Sequence, residues 1–145
     1  MPKLHEIPGV NIQWPWSALI LSGEKTVETR SYPIPEKHLG KPLAIIETPG
    51  SKGAKAGIKK ARVTGIVVFE KSILYPDEES WSEDKVRHKV EPGDPTFGFD
   101  KNKPKWGWVV KSITPFDTPL PPPQKRGIVF ASSCVIPDSH FPCPH

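Results

Sequence analysis

The chain has few cysteines, no long apolar run and no segment that resembles a signal peptide. Each of these features argues against one class of protein. Two cysteines, Cys134 and Cys143, are too few for a disulfide framework and indicate free thiols in a reducing compartment. No apolar run approaches the roughly 18 residues of a membrane-spanning helix, and the first residues lack the apolar segment of a signal peptide. We therefore expect a cytoplasmic protein that has no membrane partner.

Proline is abundant instead, and it limits the length of helices. The 145 residues include 19 prolines, and a proline inside a helix costs about 3 kcal/mol and one backbone hydrogen bond. The chain length fits one domain with one core. We predict a single domain over residues 1–145, with a frayed tail over residues 137–145.

The tail carries four potential metal ligands, which are Cys134, His140, Cys143 and His145. Zinc accepts such ligands. Their spacing, however, matches no common zinc pattern, and prolines stiffen the segment. The sequence therefore predicts no metal site.

Hydrophobic periodicity predicts a mostly β protein. Strands are expected at residues 10–13, 25–32, 43–48, 62–74, 106–116 and 127–131. Residues 15–21 predict a short buried helix ended by Gly23, and residues 78–90 predict a second, exposed helix. Prolines exclude residues 119–123 from a central strand. The pattern indicates an α+β fold, a small and mainly antiparallel β-barrel with short helices.

Three charged side chains, Lys25, Glu28 and Arg30, lie within six residues. Arginine offers a planar fork to phosphate, lysine a point charge, and glutamate an acceptor that orients a cation or binds the amine of a base. On a strand Glu28 and Arg30 share a face, and Lys25 joins them only from the turn after Gly23. Two interpretations stay open, a ligand site and an ion pair that only stabilises the surface of the barrel.

Aromatic and basic residues around this motif favour nucleic acid as the partner. The net charge is +4, with basic runs at residues 52–62, 101–111 and 125–126. Stacking of a base on an aromatic ring contributes about 1–3 kcal/mol, although most tryptophans fill cores and most charge runs are solvated faces. Ser133 is included because barrel closure would bring the last strand beside the first. The candidate binding residues are Trp16, Lys25, Glu28, Arg30, Tyr32, Lys59, Lys60, Lys105, Trp108 and Ser133.

Residues 13–31 resemble the signature of the ASCH domain family. That signature is a Gln-Pro-Trp-like entry to an apolar helix followed by Gly-x-Lys-x-x-Glu-x-Arg. Trp14 stands between Gln13 and Pro15 here, and residues 105–110 and 125–128 resemble the closing hairpin of the family. The four positions of the second part are matched by Gly23, Lys25, Glu28 and Arg30.

The resemblance implies one ASCH domain, a PUA-like β-barrel related to modules that recognise RNA and modified bases. It places the charged motif in a cleft between the first helix and the barrel. RNA, single-stranded nucleic acid or a nucleotide-like small molecule is then the expected partner.

Catalysis is a second hypothesis. Some ASCH proteins are amidohydrolases that act on acetylcytidine with a lysine, a threonine three residues later and a distant glutamate; others are ribonucleases. Lys25 matches the lysine, but Glu28 occupies the threonine position, and a carboxylate cannot replace a hydroxyl nucleophile without a change of mechanism. If the protein is an enzyme, we expect a ribonuclease more than an amidohydrolase, with Glu28 as the general base for water or a ribose hydroxyl and Lys25 or Arg30 stabilising the developing anion.

Such a nuclease would admit a divalent metal, and the sequence implies no other cofactor. A third hypothesis is a protein-interaction domain that docks a partner through the acidic helix at residues 78–84 or the prolines at residues 119–123.

Overall fold

A computed structural model describes residues 3–91, 93–94 and 97–141. Two single-turn 3-10 segments, Glu36–His38 and Asp138–His140, occur beside the longer elements. The strands are β1 (Leu4–Gln13), β2 (Val27–Arg30), β3 (Leu43–Thr48), β4 (Arg62–Tyr75), β5 (Lys105–Leu120) and β6 (Phe130–Pro137). The helices are α1 (Trp16–Leu21), α2 (Gly50–Lys55), α3 (Glu78–Glu83) and α4 (Lys85–His88).

The six strands form one sheet in the order β2-β5-β4-β3-β1-β6. β1 and β3 run parallel, whereas the other neighbouring strands are antiparallel. The predicted α+β class is confirmed. The sheet is not closed within the described residues, since its end strands β2 and β6 do not pair with each other.

The apolar run of β3 lies between two hydrophobic clusters. Leu43 and Ile45 belong to the cluster that contains Ile20 of α1, and Ile46 belongs to the cluster that contains Cys134 of β6. Both faces of this strand are therefore buried, which explains why its sequence is continuously apolar. Burial also raises the pKa of the Cys134 thiol to about 11.

The first helix has the predicted position and burial. α1 buries Trp16, Ser17 and Ile20. Gly23 follows at φ +85°, a left-handed conformation that glycine adopts without a steric penalty. The chain then turns directly into β2, so the helix and the charged motif are held close together.

The second helical segment is shorter and more deeply anchored than its sequence suggests. It divides into α3 and α4, whose charged side chains are largely exposed. Trp81 and His88 are fully buried, and their rings stack at 4.5 Å between centroids. Trp81 thus fills the core, as the sequence analysis allowed for most tryptophans.

Several predicted strand limits were wrong. β1 begins at Leu4 and not at residue 10, β2 covers only Val27–Arg30 of the predicted 25–32, and β6 ends at Pro137 and not at residue 131. β6 begins at Phe130, because Gly127 has φ +64° and belongs to a turn. β5 continues to Leu120 through Pro119, which the sequence had excluded from a central strand. β2 pairs only with the first part of β5, so the later part has a free edge where proline removes no hydrogen bond.

Candidate ligand-binding site

A cleft of about 380 Å³ opens where β1, β2 and β3 end. Because β1 and β3 are parallel, their last residues, Gln13 and Thr48, lie side by side and both line the cleft. Arg30 ends β2 and donates to the backbone carbonyl of Asn11 at 2.8 Å. The volume lies at the small end of the roughly 300–1,000 Å³ of small-molecule pockets.

Glu28 forms the charged floor of this cleft. One carboxylate oxygen, Oε2, accepts a hydrogen bond from Arg30 Nη2 at 2.9 Å, and Oε1 lies 3.5 Å from Lys25 Nζ. Burial by itself would raise the pKa of Glu28, but the attraction of Arg30 and Lys25 outweighs it and holds the pKa below its usual range. The floor therefore carries an ionised carboxylate with a fixed orientation.

Arg30 presents a cation beside that carboxylate. Its guanidinium lies 5.3 Å from the ring of Trp108, and its side chain is 19% exposed. Burial opposes the charge, but Glu28 outweighs burial and raises the pKa of Arg30. An acceptor and a donor thus stand next to each other at the base of the cleft.

Lys25 lies behind the cleft and does not line it. It occupies the turn between Gly23 and β2, and its Nζ donates to the backbone carbonyl of His88. The same Nζ lies 5.3 Å from the ring of Trp16, and the side chain has no exposed surface. Burial lowers the pKa of Lys25, and Glu28 offsets this only in part. Lys25 therefore orients Glu28 from the protein side.

The walls of the cleft combine aromatic rings with cations. Trp16 and Phe97 both line it, with their rings edge to face at 5.9 Å. Lys52 of α2 reaches over the Trp16 ring at 5.6 Å and pairs with Asp94 at 3.8 Å. Arg126 is exposed at the rim and forms no ion pair with any residue that the structure describes.

No protein-family model and no curated protein matches the sequence. Solved structures do match. The crystal structure of ASCH from Zymomonas mobilis has a TM-score of 0.60 at 18% identity, covering 92% of this chain and 89% of that chain. A tyrosine-to-phenylalanine mutant of that protein gives 0.59 at 18% identity over 92% and 91%, and a serine-to-alanine mutant gives 0.59 at 20% identity over 79% and 72%. The chain has the ASCH fold.

In this ASCH fold the glutamate of the family-like motif reaches the cleft from β2, and the lysine supports it from the preceding turn. Gln13 also lines the cleft, although Trp14 separates it from Pro15. The side chain of Gln13 lies against Gly50 at the start of α2, where a Cβ atom would approach its Nε2 to 1.7 Å.

Two of the predicted aromatic residues support the site from beneath. Trp108 is fully buried, and its Nε1–H donates to the backbone carbonyl of Tyr32 at 2.9 Å. The Tyr32 ring packs against the Trp108 ring at 5.9 Å, and neither residue lines the cleft. Trp108 therefore offers no free face to a base and instead contacts the guanidinium of Arg30.

None of the predicted lysines is among the described residues that line the cleft. Lys59 and Lys60 are exposed between α2 and β4 and do not line it. Lys105 borders a second cleft of about 230 Å³ that shares Arg30 with the first. Its Nζ donates to the carbonyls of Phe97 and Gly98 at 3.3 Å, and burial lowers its pKa. Lys105 thereby supports the Phe97 wall.

The structure separates Ser133 from the cleft. β6 is antiparallel to β1 and places Phe130 opposite Val10, so its later residues run towards the beginning of β1. Ser133 lines a different groove, together with Pro121 and Pro122. Strand direction, which the sequence does not encode locally, decides this position.

Asn11 is a cleft residue that the sequence analysis missed. Its Nδ2 donates to the carbonyl of Arg126 at 3.0 Å and contacts the next three carbonyls of the same turn. Its Oδ1 is buried and has no hydrogen-bond partner among the described residues. The available signal was a polar amide between the buried residues Val10 and Ile12 of an alternating strand. Thr48, Val90 and Phe97 gave none, since only tertiary contacts bring them here.

A second buried carboxylate fixes α1, and with it Trp16. Glu47 of β3 accepts from Ser17 Oγ at 2.7 Å and from Arg62 Nε at 2.8 Å. The three groups connect α1, β3 and β4 on the protein side of the cleft. Their role is to position the helix, since none of them lines the cleft.

Within residues 3–91, 93–94 and 97–141, no group of three or more His, Cys, Asp or Glu side chains is arranged to hold a metal ion. Cys143 and His145 of the tail lie outside the described residues. Among the described helices, none combines the length and the apolar character that crossing a bilayer requires.

Proposed function

We propose that this ASCH-fold protein binds RNA and holds one nucleotide of the strand in the cleft. The observation that carries the proposal is the Glu28–Arg30 pair at the floor of a cleft of about 380 Å³ that also has aromatic and cationic walls. RNA-binding proteins typically hold unpaired bases by stacking and by hydrogen bonds to base edges.

The floor supports recognition of a base edge. Glu28 is an ionised acceptor suited to an exocyclic amine, and Arg30 beside it is a donor suited to a ring nitrogen or carbonyl. Phe97, which is half-buried, supplies apolar surface on which a base would pack, next to the part of the largely buried Trp16 that lines the cleft.

The rim supports contact with phosphate. Arg126 has no ion pair with a described residue, so its planar fork is open to an anion. Lys52 adds a second cation next to Trp16. Phosphate contacts of this kind position a strand without reading its sequence.

The geometry supports binding better than hydrolysis. A general base works best when its pKa lies near the operating pH, whereas Arg30 and Lys25 hold the pKa of Glu28 below its usual range. Lys25 has no exposed surface and does not line the cleft. The ribonuclease and amidohydrolase hypotheses therefore rank below binding and are tested together with it.

The experiment is a gel-shift titration with labelled single-stranded RNA of about 12 nucleotides, within the usual site sizes for single strands. Arg126→Ala is expected to weaken binding about tenfold, through loss of a phosphate contact. Lys125→Ala is the matched control, because Lys125 is the adjacent exposed cation and lines the separate groove. Equal effects of the two variants, or no shift with the wild type, would contradict the proposal.

The same titration is run with and without magnesium or manganese and with Lys25→Ala and Glu28→Gln. RNA fragments that appear with the wild type and disappear in both variants would make the protein a ribonuclease, with metal dependence read from the paired lanes. A shift without product would support a binding function. A protein-interaction domain would show neither.

A further inference from the structure

The most exposed large apolar side chain of the described residues lies at the rim of the cleft. Ile128 is 95% exposed, compared with 72% for Val86 and 59% for Leu4. It lines the cleft together with Arg126 and Gly127. Single exposed apolar residues are common on proteins, so the exposure gains meaning only from where Ile128 lies and how it is held.

The turn that carries Ile128 is tied to β1. The side-chain Nδ2 of Asn11 donates to the carbonyl of Arg126 at 3.0 Å and lies 3.3 to 3.4 Å from the next three carbonyls, and the backbone N–H of Asn11 donates to the carbonyl of Val129 at 2.8 Å. Gly127 has φ +64°, and a Cβ there would lie 2.1 Å from the carbonyl oxygen of Phe130. The turn is thus held in place while the side chain of Ile128 projects into solvent.

The same strand residue connects this turn to the floor of the cleft. The backbone carbonyl of Asn11 accepts from Arg30 at 2.8 Å, while its amide nitrogen holds the turn. Arg126 directly precedes Gly127 and places an exposed cation beside the apolar tip. Some nucleic-acid-binding proteins insert apolar side chains, isoleucine among them, between base steps, and Ile128 is an exposed side chain of this kind two residues from an exposed cation.

We propose that Ile128 is a wedge that fills the gap left in stacked RNA when one nucleotide turns out of the stack into the cleft. This inference rests on the proposed RNA binding and names its substrate class, a nucleotide within paired or bulged RNA and not a free nucleoside. Extruding a base loses its stacking. An apolar side chain in the vacated position restores part of that contact.

The test compares two RNAs of the same sequence. One is a duplex with a single-nucleotide bulge and a fluorescent adenine analogue beside it, and the other is the same strand unpaired. With the duplex, Ile128→Ala is expected to weaken binding about tenfold and to abolish the fluorescence increase that unstacking causes. With the unpaired strand, binding is expected to change by less than about twofold, since no stack has to be opened.

Two further variants test whether an effect of Ile128→Ala comes from the wedge or from the loss of any exposed apolar side chain. Ile128→Leu keeps an aliphatic tip and is expected to bind the duplex as the wild type does. Val86→Ala removes another exposed β-branched residue, 72% exposed, that does not line the cleft, and it is expected to change neither affinity. Thermal unfolding of Ile128→Ala checks that the fold is retained.

The outcomes distinguish the wedge from the binding function. If Ile128→Ala binds the duplex as tightly as the wild type, or loses the same factor on both RNAs, the wedge is wrong. If the unpaired strand still binds in an Arg126-dependent manner, RNA binding survives that result. If the wild type binds neither RNA, both proposals fail together.

Discussion

His88 connects the second helical segment to the cleft through three atoms. Its Nδ1 accepts the backbone N–H of Val90 at 3.0 Å, its Nε2 lies 2.6 Å from the carbonyl oxygen of Trp81, and its own carbonyl accepts from Lys25. Because Nδ1 is an acceptor, the ring hydrogen lies on Nε2 and the neutral imidazole satisfies both partners. Protonation would place a second hydrogen against the Val90 amide.

We therefore expect the free energy of unfolding to decrease as the pH falls below 6.5. Burial lowers the pKa of His88 from its usual 6.5, and Lys25 acts in the same direction while the Trp81 carbonyl opposes it. Below pH 6.5 the unfolded state binds a proton that the folded state excludes, so acid favours unfolding by at most about 1.4 kcal/mol per pH unit for this group.

The measurement is urea denaturation of the wild type and His88→Gln at a series of pH values below neutrality. The variant is expected to show a weaker pH dependence. Some dependence remains in it, because burial also lowers the pKa of His38. An identical pH dependence in the two proteins would show that His88 is not the responsible group.

At the scale of elements, the turn between β5 and β6 is the part of the rim that most depends on local backbone geometry. Gly127 and Gly23 both have left-handed φ values, +64° and +85°. Only Gly127 faces a close neighbour, since no atom lies within 4 Å of a Cβ built at Gly23. Alanine substitutions at Gly23 and Gly127 can therefore distinguish two energetic costs. Gly23 reports the cost of the left-handed backbone alone, and Gly127 adds the steric clash of a Cβ atom.

Gly23→Ala is expected to lower the free energy of unfolding by about 1–2 kcal/mol, the penalty of a left-handed residue alone. Gly127→Ala is expected to cost more or to displace the turn, because the added Cβ meets the Phe130 carbonyl. Only Gly127→Ala should also weaken RNA binding. Urea denaturation and the gel shift check both effects, and equal results for the two variants would contradict this account of the turn.

At the scale of the whole molecule, positive charge extends beyond the cleft. Lys52 lies over the ring of Trp16, and Lys59 and Lys60 follow in the segment between α2 and β4. Under the proposed RNA binding, a single nucleotide in the cleft would not need these two lysines, whereas a longer strand that leaves the cleft along α2 would meet them. Their contribution is thus expected to depend on the length of the RNA.

The salt dependence of binding measures this contribution. For single strands the slope of log K against log salt concentration changes by about 0.7 per phosphate contact. Arg126→Ala is expected to reduce the slope by about 0.7 for every RNA. A Lys59→Ala, Lys60→Ala double variant is expected to reduce it by about 1.4 for a strand of about 12 nucleotides and to leave a trinucleotide unchanged. If the double variant left the slope unchanged with the longer strand, Lys59 and Lys60 would not contact the RNA, and the contacts would be limited to the cleft.

The sequence predicted best those elements whose limits depend on neighbouring residues in the chain. β3 has the predicted limits, because a short apolar run is closed by Pro49 and Gly50. Gly23 follows the end of α1 in the left-handed conformation, as expected. The patterns failed at Ile128, which continues an apolar run in sequence but is exposed in a turn. Alternation alone cannot distinguish a strand from a turn that presents an apolar tip.

The sequence by itself determined the α+β class, the first helix with its glycine, and the grouping of Lys25, Glu28 and Arg30, because these depend on periodicity and on neighbours along the chain. Only the tertiary structure decided that Lys25 faces inward while Glu28 lines a cleft, and that Asn11 holds both Arg30 and the rim. Strand order and direction arise from contacts between distant segments, and local patterns do not specify those contacts.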